Sequence, residues 1–364
     1  MSILTYIIKR FLIAIPTILA VSVLGFLLMR FDFGTFGPYD IDFGIGSPIH
    51  LDAIPLKNPI DPLAELRNNP QISAKALQKE VIRLGLDQPM HVQYWRWVKG
   101  VFQVNPEALS EGKLWEFFQP DLGKDYSGHD VARELMSRAK NTLALNLLSV
   151  FFAWIIAIPL GIQAALHWRS LFDRLTTVAA TCGMALPSFV LALMLAVVAV
   201  KTGWLPISGI TSANYESLSL VGKALDIAAH LALPVLTLTL LGLAGWQRQM
   251  RGNLLDYLQA EYIRTARAKG LPENVVIYKH AVRTAINPLV TMLGFQLAGL
   301  LSGSLLVETV LNYPGLGAYI YAGVLKTDTN VVMSSLVMSA ILLVAGNLCA
   351  DILLKIVDPR IELS

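Results

Sequence analysis

Residues 261–288 read EYIRTARAKGLPENVVIYKHAVRTAINP and form a basic insert between two long apolar segments. Between Arg248 and Arg283 the chain carries seven Lys and Arg residues but only three acidic ones, so this region is cationic. Short basic loops of membrane proteins face the cytoplasm. The basic insert, as residues 261–288 are called below, therefore predicts which side of a membrane the chain presents there.

Apolar segments like those around the basic insert recur along the chain. Of the 364 residues, 54% are hydrophobic and 15% are charged, whereas soluble domains carry about 25% charged residues. The apolar runs approach the roughly 20 residues that a helix needs to cross a bilayer. Six spans are predicted, at residues 11–29, 142–166, 176–200, 230–246, 288–311 and 331–357. The predicted fold class is an all-α polytopic membrane protein with six transmembrane helices.

The charges of the short loops predict the orientation of these spans. If the spans alternate, the cationic clusters all fall on one side, which the positive-inside rule makes cytoplasmic. The clusters are Lys9 with Arg10, Arg169 with Arg174, the basic insert, and Lys355 with Arg360. Both termini are therefore expected in the cytoplasm. The apolar core of the first span exceeds the roughly 7 to 15 residues of a signal peptide, so we expect an uncleaved anchor.

A long polar segment separates the first two spans. Residues 31–141 are too many for a simple connection, so we expect a large extracytoplasmic segment with helical patterns near residues 91–102 and 131–140. The predicted division is residues 1–30 for the N-terminal tail and first span, 31–141 for the extracytoplasmic segment, 142–357 for the transmembrane core, and 358–364 for the cytoplasmic tail.

No catalytic or metal-binding pattern accompanies the spans. The six histidines are scattered, and the sequence has no H-E-x-x-H or G-x-S-x-G motif. Its Gly-Lys pairs lack the upstream glycine and the following Ser or Thr of a phosphate-binding loop, so the chain should not bind ATP by itself. Cys182 and Cys349 lie in apolar runs and indicate no disulfide framework. We expect no enzyme activity, bound cofactor, metal or nucleic-acid partner.

The local pattern of the basic insert predicts two short helices. Residues 264–269 are good helix formers, and Gly270 followed by Leu-Pro is a helix stop signal. Pro272 suits the first position of a second helix, with a modest apolar face at residues 276, 277, 280 and 281. From these residues alone, a docking element for a cytoplasmic protein and a loop for anionic lipid headgroups stay equally open.

Several motifs connect the chain to a known family. The basic insert contains YIRTARAKGL at residues 262–271, KHA at 279–281 and NP at 287–288. Further motifs are IIKR at 7–10, LGLDQP at 84–89, DLG at 121–123, ALPS at 185–188, VET at 307–309, YPGLG at 313–317 and VDPRI at 357–361. In this order they closely resemble the first permease subunit of the dipeptide, oligopeptide and nickel permeases of ABC importers. The outer segment and TSANY at 211–215 are also similar to the branch that includes the microcin C and oligopeptide permease.

This resemblance implies a type I ABC importer permease fold. In that family a cytoplasmic coupling loop, here residues 248–287, seats in a groove of the ATPase subunit and transmits nucleotide-driven closure to the spans. The residues carried over to this role are Tyr262, Arg264, Thr265, Ala266, Arg267, Lys269, Gly270 and Leu271. The resemblance also implies a second homologous permease, two cytoplasmic ATPase subunits that hold ATP and Mg, and an extracytoplasmic solute-binding protein. Surrounded by membrane lipid, the chain would form half of a path for peptides or peptide-like solutes across a bacterial inner membrane.

Two departures from the general ABC importer motif stand out. That motif begins Glu-Ala-Ala, whereas the corresponding triplet here is Arg264-Thr265-Ala266, so the leading acid is missing. The closing Leu-Pro of the motif is displaced to Asn287-Pro288. Both departures resemble the peptide-permease variant, which leaves the implied role in place.

Polar residues within the apolar runs are candidates for the solute path. Charges at membrane depth are costly and often functional, so Glu308 is a candidate gate or contact for a cationic peptide terminus. The candidate pathway or gate residues are Glu308, Gln296, Ser304 and Asn347. A structural role in hydrogen bonding or in packing span against span is open for each of them. For Asp351 we predict an ion pair with Lys355, one turn later.

Two other transporter functions stay open at this stage. A nickel or metal-chelate importer of the same family differs only in its solute, and no clustered His or Cys set favours it. An ion-coupled secondary transporter belongs to a different class. It would show a duplicated hydropathy pattern with broken helices in matching halves, which the sequence does not show.

Overall fold

The computed structural model of the chain describes residues 3–30, 88–104, 120–298, 304–326 and 328–357, together with residues 75, 76, 79 and 82. Within these residues the chain is mostly helical, as predicted, and contains no β-strand; an isolated bridge joins Lys124 and Asp130. The chain forms two compact units. The first comprises Met1–Ala14, Ser137–Tyr319 and Ile341–Ser364, and the second comprises Ile15–Met136 and Ile320–Ala340.

Eleven α-helices carry the fold of the described residues. They are α1 (Ile3–Arg30), α2 (Met90–Val101), α3 (Val131–Leu166), α4 (Leu171–Ala185), α5 (Ser188–Thr202), α6 (Leu220–Leu258), α7 (Glu261–Ala268), α8 (Asn287–Ala298), α9 (Leu305–Val310), α10 (Leu316–Leu325) and α11 (Thr329–Val357). A π-helix (Val275–Val282) and a three-residue turn of helix (Arg283–Ala285) connect α7 to α8. Serine side chains begin two of the long helices, because Ser170 caps α4 and Ser219 caps α6 through the backbone N–H three residues later.

Three of these helices are long and apolar enough to cross a membrane. They are α3, α6 and residues Thr329–Cys349 of α11, and the α4–α5 pair raises the number to four if it counts as one span. The described part of the first predicted span contains a shorter apolar helix, Leu12–Leu27. As predicted, the polar residues before the second span extend it, since α3 begins at Val131 and runs on without interruption. The count of six spans stays a prediction.

The predicted span at residues 176–200 is broken within its length. Helices α4 and α5 meet at an angle of 100°. Leu186 has an extended backbone with ψ of 124°, the conformation that a following proline favours because its ring crowds the helical one. Pro187 then begins α5. The two helices are therefore separated by a full break at Leu186 and Pro187.

The run predicted as the span at residues 288–311 also departs from one straight helix. Helix α8 ends at Ala298, Ser304 is not helical, and the short α9 follows. The five residues between Ala298 and Ser304 lie outside the described part of the chain.

Small residues bring α3 and α6 into close contact in the first unit. A Cβ atom at Gly161 would lie 2.8 Å from both the Gln247 carbonyl oxygen and the Met250 Cβ, so only glycine fits there. Ala153 and Ala157 of α3 are also fully buried in the same cluster. Small residues allow the close backbone approach that holds helices together in membranes, where apolar contact with lipid is equally favourable. This cluster continues into the basic insert.

Candidate functional site

The first half of the basic insert is the amphipathic helix α7. Its two buried side chains, Ile263 and Ala266, lie three residues apart and join the core formed by Met250 and Leu254 of α6. This spacing places both on one face of a helix. The remaining residues of α7 are exposed. Helix α7 therefore rests on the body of the first unit and presents a polar face outward.

A glycine turn ends α7 at the predicted position. Gly270 has φ of 73°, a left-handed conformation that glycine adopts without strain, and its N–H donates to the Arg267 carbonyl at 2.9 Å. Across the turn, the Arg267 guanidinium donates to both carboxylate oxygens of Glu273, with a shortest distance of 2.7 Å. This hydrogen bonding lowers the pKa of Glu273 below its ordinary value. The pair therefore persists at neutral pH and is lost only as acid protonates the carboxylate.

The second half of the basic insert is helical, but its form differs from the predicted α-helix. Residues Val275–Val282 form a π-helix, whose wider turns bury Val276, Ile277, Ala281 and Val282. Asn253 of α6 fixes the following turn by donating from Nδ2 to the Ala285 carbonyl at 3.0 Å. Within α-helical chains, π-helical turns occur mostly as short segments and frequently at functional sites.

The structure divides the predicted coupling residues into outward and inward groups. Exposed residues of the group are Tyr262, Arg264, Thr265, Arg267, Lys269, Gly270 and Leu271. Ala266 is buried against the core of the first unit, so its side chain supports the insert from within. Tyr278, which sequence reasoning missed, is half exposed on the π-helix. The exposed face thus combines cationic side chains with Tyr262, Leu271 and Tyr278.

An ion pair that sequence reasoning also missed connects α4 to α6 close to the basic insert. Arg251 forms a bidentate pair with Asp173, with Nη2 donating to Oδ2 at 2.9 Å, and the Arg169 N–H donates to the same carboxylate at 2.9 Å. Asp173 is buried. A buried carboxylate needs such partners because its water is lost on burial. The sequence signal that could have indicated this ion pair is the position of Asp173 between Arg169 and Arg174.

Glu308 lies at the centre of a second polar cluster. The side chain is fully buried, and its Oε1 accepts hydrogen bonds from the hydroxyls of Thr142 and Ser304, both at 2.8 Å. Its Oε2 accepts from the Ala318 N–H at 3.0 Å. Thr142 in turn accepts from the Leu316 N–H at 2.7 Å. One carboxylate therefore connects α3, α9 and α10.

The turn between α9 and α10 is shaped around this carboxylate. Asn312 begins the turn with φ of 46°, a left-handed conformation that asparagine tolerates better than most residues. A Cβ atom at Gly315 would overlap the Glu308 carboxylate, and one at Gly317 would lie 2.7 Å from the Leu305 Cα. The two glycines of the YPGLG motif thus leave room for the buried acid. This geometry favours the structural interpretation of Glu308 over contact with solute.

The remaining candidate pathway residues do not assemble into one site. Ser304 belongs to the Glu308 cluster, Asn347 is half-buried on α11, and Gln296 lies on α8 with its side chain outside the described residues. For Asp351, the structure gives an ion pair with Arg10 at 3.0 Å, which joins α11 to α1 within the first unit. The pairing with Lys355 was the sequence-based expectation.

Across the described ranges, no group of three or more His, Cys, Asp or Glu side chains is placed to hold a metal ion. The geometry offers an exposed and cationic helical element packed on a helical body. Long apolar helices, at least three of them among the described residues, are typical of a membrane protein.

Comparison with known proteins identifies this class. Residues 157–363 match the family described as "Binding-protein-dependent transport system inner membrane component". The chain belongs to this family, and it is therefore an inner-membrane transporter permease of the ABC type and not an enzyme.

Full-length relatives carry the same assignment. The chain is 35% identical to the oligopeptide transport system permease protein AppB of Bacillus subtilis, over 98% of this chain and 99% of that protein. It is 34% identical to the glutathione transport system permease protein GsiC of Escherichia coli O6:H1, over 99% of both chains. The GsiC protein of Salmonella paratyphi A is 33% identical over the same shares.

Proposed function

We propose that the chain is the permease subunit of an ABC importer for peptides or peptide-like solutes and forms half of its translocation path. The observation that carries the proposal is the end-to-end similarity to a permease named for oligopeptides and to permeases named for glutathione, itself a short peptide. The absence of a metal-ligand cluster among the described residues gives no support to a metal-chelate solute.

The coupling loop of this importer is residues 248–287, and the basic insert supplies its exposed part. Its exposed face carries Arg264, Arg267 and Lys269 together with Tyr262 and Leu271, a mixture of charge and aromatic surface that suits a protein partner. Ile263 and Ala266 bind the loop to the core of the spans. Movement of the exposed face would be passed to α6 through these packed side chains.

Four kinds of partner complete the transporter. They are a second homologous permease, two cytoplasmic ATPase subunits that hold ATP and Mg, an extracytoplasmic solute-binding protein, and membrane lipid. Six spans place both termini in the cytoplasm of a bacterium, with residues 31–141 on the outer side. The long outer segment is the natural contact for the binding protein.

Reconstituted transport tests the proposal. The chain is purified with its co-expressed permease and ATPase subunits, placed in proteoliposomes, and supplied with the binding protein and labelled di- to pentapeptides. We expect uptake that requires both ATP and the binding protein. A liposome containing the chain alone is the matched control and should take up nothing. Uptake by the chain alone under an ion gradient would assign it to secondary transport instead.

A further inference from the structure

The break between α4 and α5 exposes backbone groups that need water or another hydrogen-bond partner within the membrane. We propose that this elbow, residues 182–189, lines the water-filled path through which the solute passes. The inference rests on the proposed function for the identity of the solute, but its physical basis is the backbone of the elbow.

The elbow lies at the depth of the apolar centre of the first unit. A Cβ atom at Gly183 would lie 3.4 Å from the Ala244 Cβ of α6, and one at Gly242 would lie 3.6 Å from the Ala153 Cβ of α3. Ala153 is in the middle of the apolar run at residues 142–166. With a rise of 1.5 Å per residue, that middle is about 18 Å from either end of the run.

A helix break at this depth leaves backbone groups without helical partners. The last carbonyls of α4 have no following turn to donate to them. Pro187 has no N–H to offer, and no side-chain hydrogen bond caps α5 at this residue. The Pro187 carbonyl does accept from the N–H groups of Val190 and Leu191, at 3.0 and 3.2 Å. The carbonyls at the end of α4 thus have to find partners elsewhere.

Lipid cannot supply these partners, and the described residues leave several side chains of the elbow exposed. Irregular backbone at membrane depth occurs only where protein buries it or where it faces a water-filled cavity. The side chains of Cys182, Met184, Leu186 and Phe189 are exposed, between 40% and 53% for the last three. The elbow therefore faces outward from this subunit while needing hydrogen-bond partners. A path shared between two permeases provides these partners. They are water molecules in the solute-free state and the peptide groups of the solute during transport.

Cys182 provides a natural probe of this proposal. A thiol reacts through its thiolate, which forms in water and is disfavoured in an apolar environment. In a Cys349→Ser background, Cys182 is the single cysteine of the chain. The assembled transporter is placed in lipid nanodiscs, where both faces are accessible, and treated with a charged methanethiosulfonate reagent. The rate of modification is read from the mass of the chain.

The matched control is Phe151→Cys in a Cys182→Ala and Cys349→Ser background. Phe151 is 57% exposed at nearly the same depth, but it lies on the uninterrupted helix α3, whose backbone needs no water. We expect Cys182 to react at least about tenfold faster than this control, because only the hydrated thiol ionises readily. Met184→Cys, two residues closer to the break on the same helix α4, should follow Cys182.

Two results would overturn the proposal. Equally slow reaction of all three thiols would mean that the second permease or lipid seals the elbow, and equally fast reaction would mean that hydration is not specific to it. Neither reading needs peptide, so the rates test the elbow independently of the solute. Peptide uptake by the same preparation in proteoliposomes tests the proposed function, and either test can fail while the other succeeds. Protection of Cys182 by saturating peptide would connect the two.

Discussion

A single carboxylate, Glu308, holds three helices of the first unit together. Replacement by alanine would leave the Ala318 N–H and two hydroxyls buried without their acceptor. A buried donor without a partner costs about 1 to 3 kcal/mol. We expect Glu308→Ala to destabilise the subunit by roughly 3 kcal/mol in total, measured as a lower melting temperature of the purified transporter.

Thr309→Ala is the matched control, because Thr309 is the exposed neighbour on the same short helix and its hydroxyl donates to the Leu305 carbonyl of that helix at 2.8 Å. Its melting temperature should stay close to that of the parent. If Glu308→Ala instead left stability unchanged and raised only the KM for peptide, the residue would belong to the solute path and the structural interpretation would be wrong.

The fit between Gly315 and Glu308 gives a second prediction. Gly315→Ala should destabilise the subunit because its new methyl group overlaps the carboxylate. In the double variant with Glu308→Ala the overlap is absent, so the two costs should not add. Melting temperatures of the four proteins in this cycle measure the coupling. Simple additivity would show that the turn moves away from the acid.

The residue scale also shows what sequence reasoning can find. Glu308 was singled out because a charge inside an apolar run is unusual, and the YPGLG motif was noted as part of the family resemblance. The structural role of Glu308 could not be predicted from the sequence, because its partner Thr142 is 166 residues away in the chain. Ser304, predicted as a separate pathway residue, is in fact a partner of the same carboxylate. Contacts at such separations depend on the packing of whole helices.

At the scale of elements, the glycine that ends α7 controls the shape of the basic insert. An added Cβ at Gly270 would meet nothing within 4 Å, so only the left-handed backbone restricts the position. Asparagine tolerates this conformation, whereas a β-branched residue pays roughly 1 to 2 kcal/mol. We expect Gly270→Asn to retain most ATP-dependent uptake, and Gly270→Val to lower the peptide imported per ATP hydrolysed.

Gly270→Pro is the strongest change in this series, because proline is fixed near φ of −65° while the native value is 73°. It should leave membrane insertion intact and uncouple ATP hydrolysis from uptake. Equal coupling ratios for the Asn, Val and Pro variants would show that the turn does not transmit movement, and would remove the coupling role from the basic insert.

Some elements are determined by adjacent residues and others by packing against distant ones. The stop at Gly270 and the helix before it followed from adjacent residues, and both predictions are confirmed. The break at Pro187 also has a local cause, yet apolar content alone favoured one span through it. The π-helix had no sequence signal. Val276 and Ala281 are both buried in the core of the first unit, so packing against that core, and not the adjacent sequence, determines their spacing.

At the scale of the whole molecule, orientation is the property on which the coupling and binding-protein contacts both depend. The short segment at residues 201–229 carries two cations, Lys201 and Lys223, and Lys223 is neutralised by Glu216 at 2.9 Å. The region from Arg248 to Arg283 carries seven. Retention of Lys and Arg on the cytoplasmic side therefore predicts that Asn214 lies outside and Lys269 inside, with α6 crossing between them.

Single cysteines test this arrangement in intact cells. In a background with Cys182→Ala and Cys349→Ser, we expect Asn214→Cys to react with an impermeant maleimide at once, and Lys269→Cys to react only after permeabilisation. Both positions are exposed, so a difference in reaction reports the side of the membrane and not burial. The reverse pattern would place the basic insert outside the cell. It would then be out of reach of any ATPase in the cytoplasm, and the coupling proposal would fail together with the predicted topology.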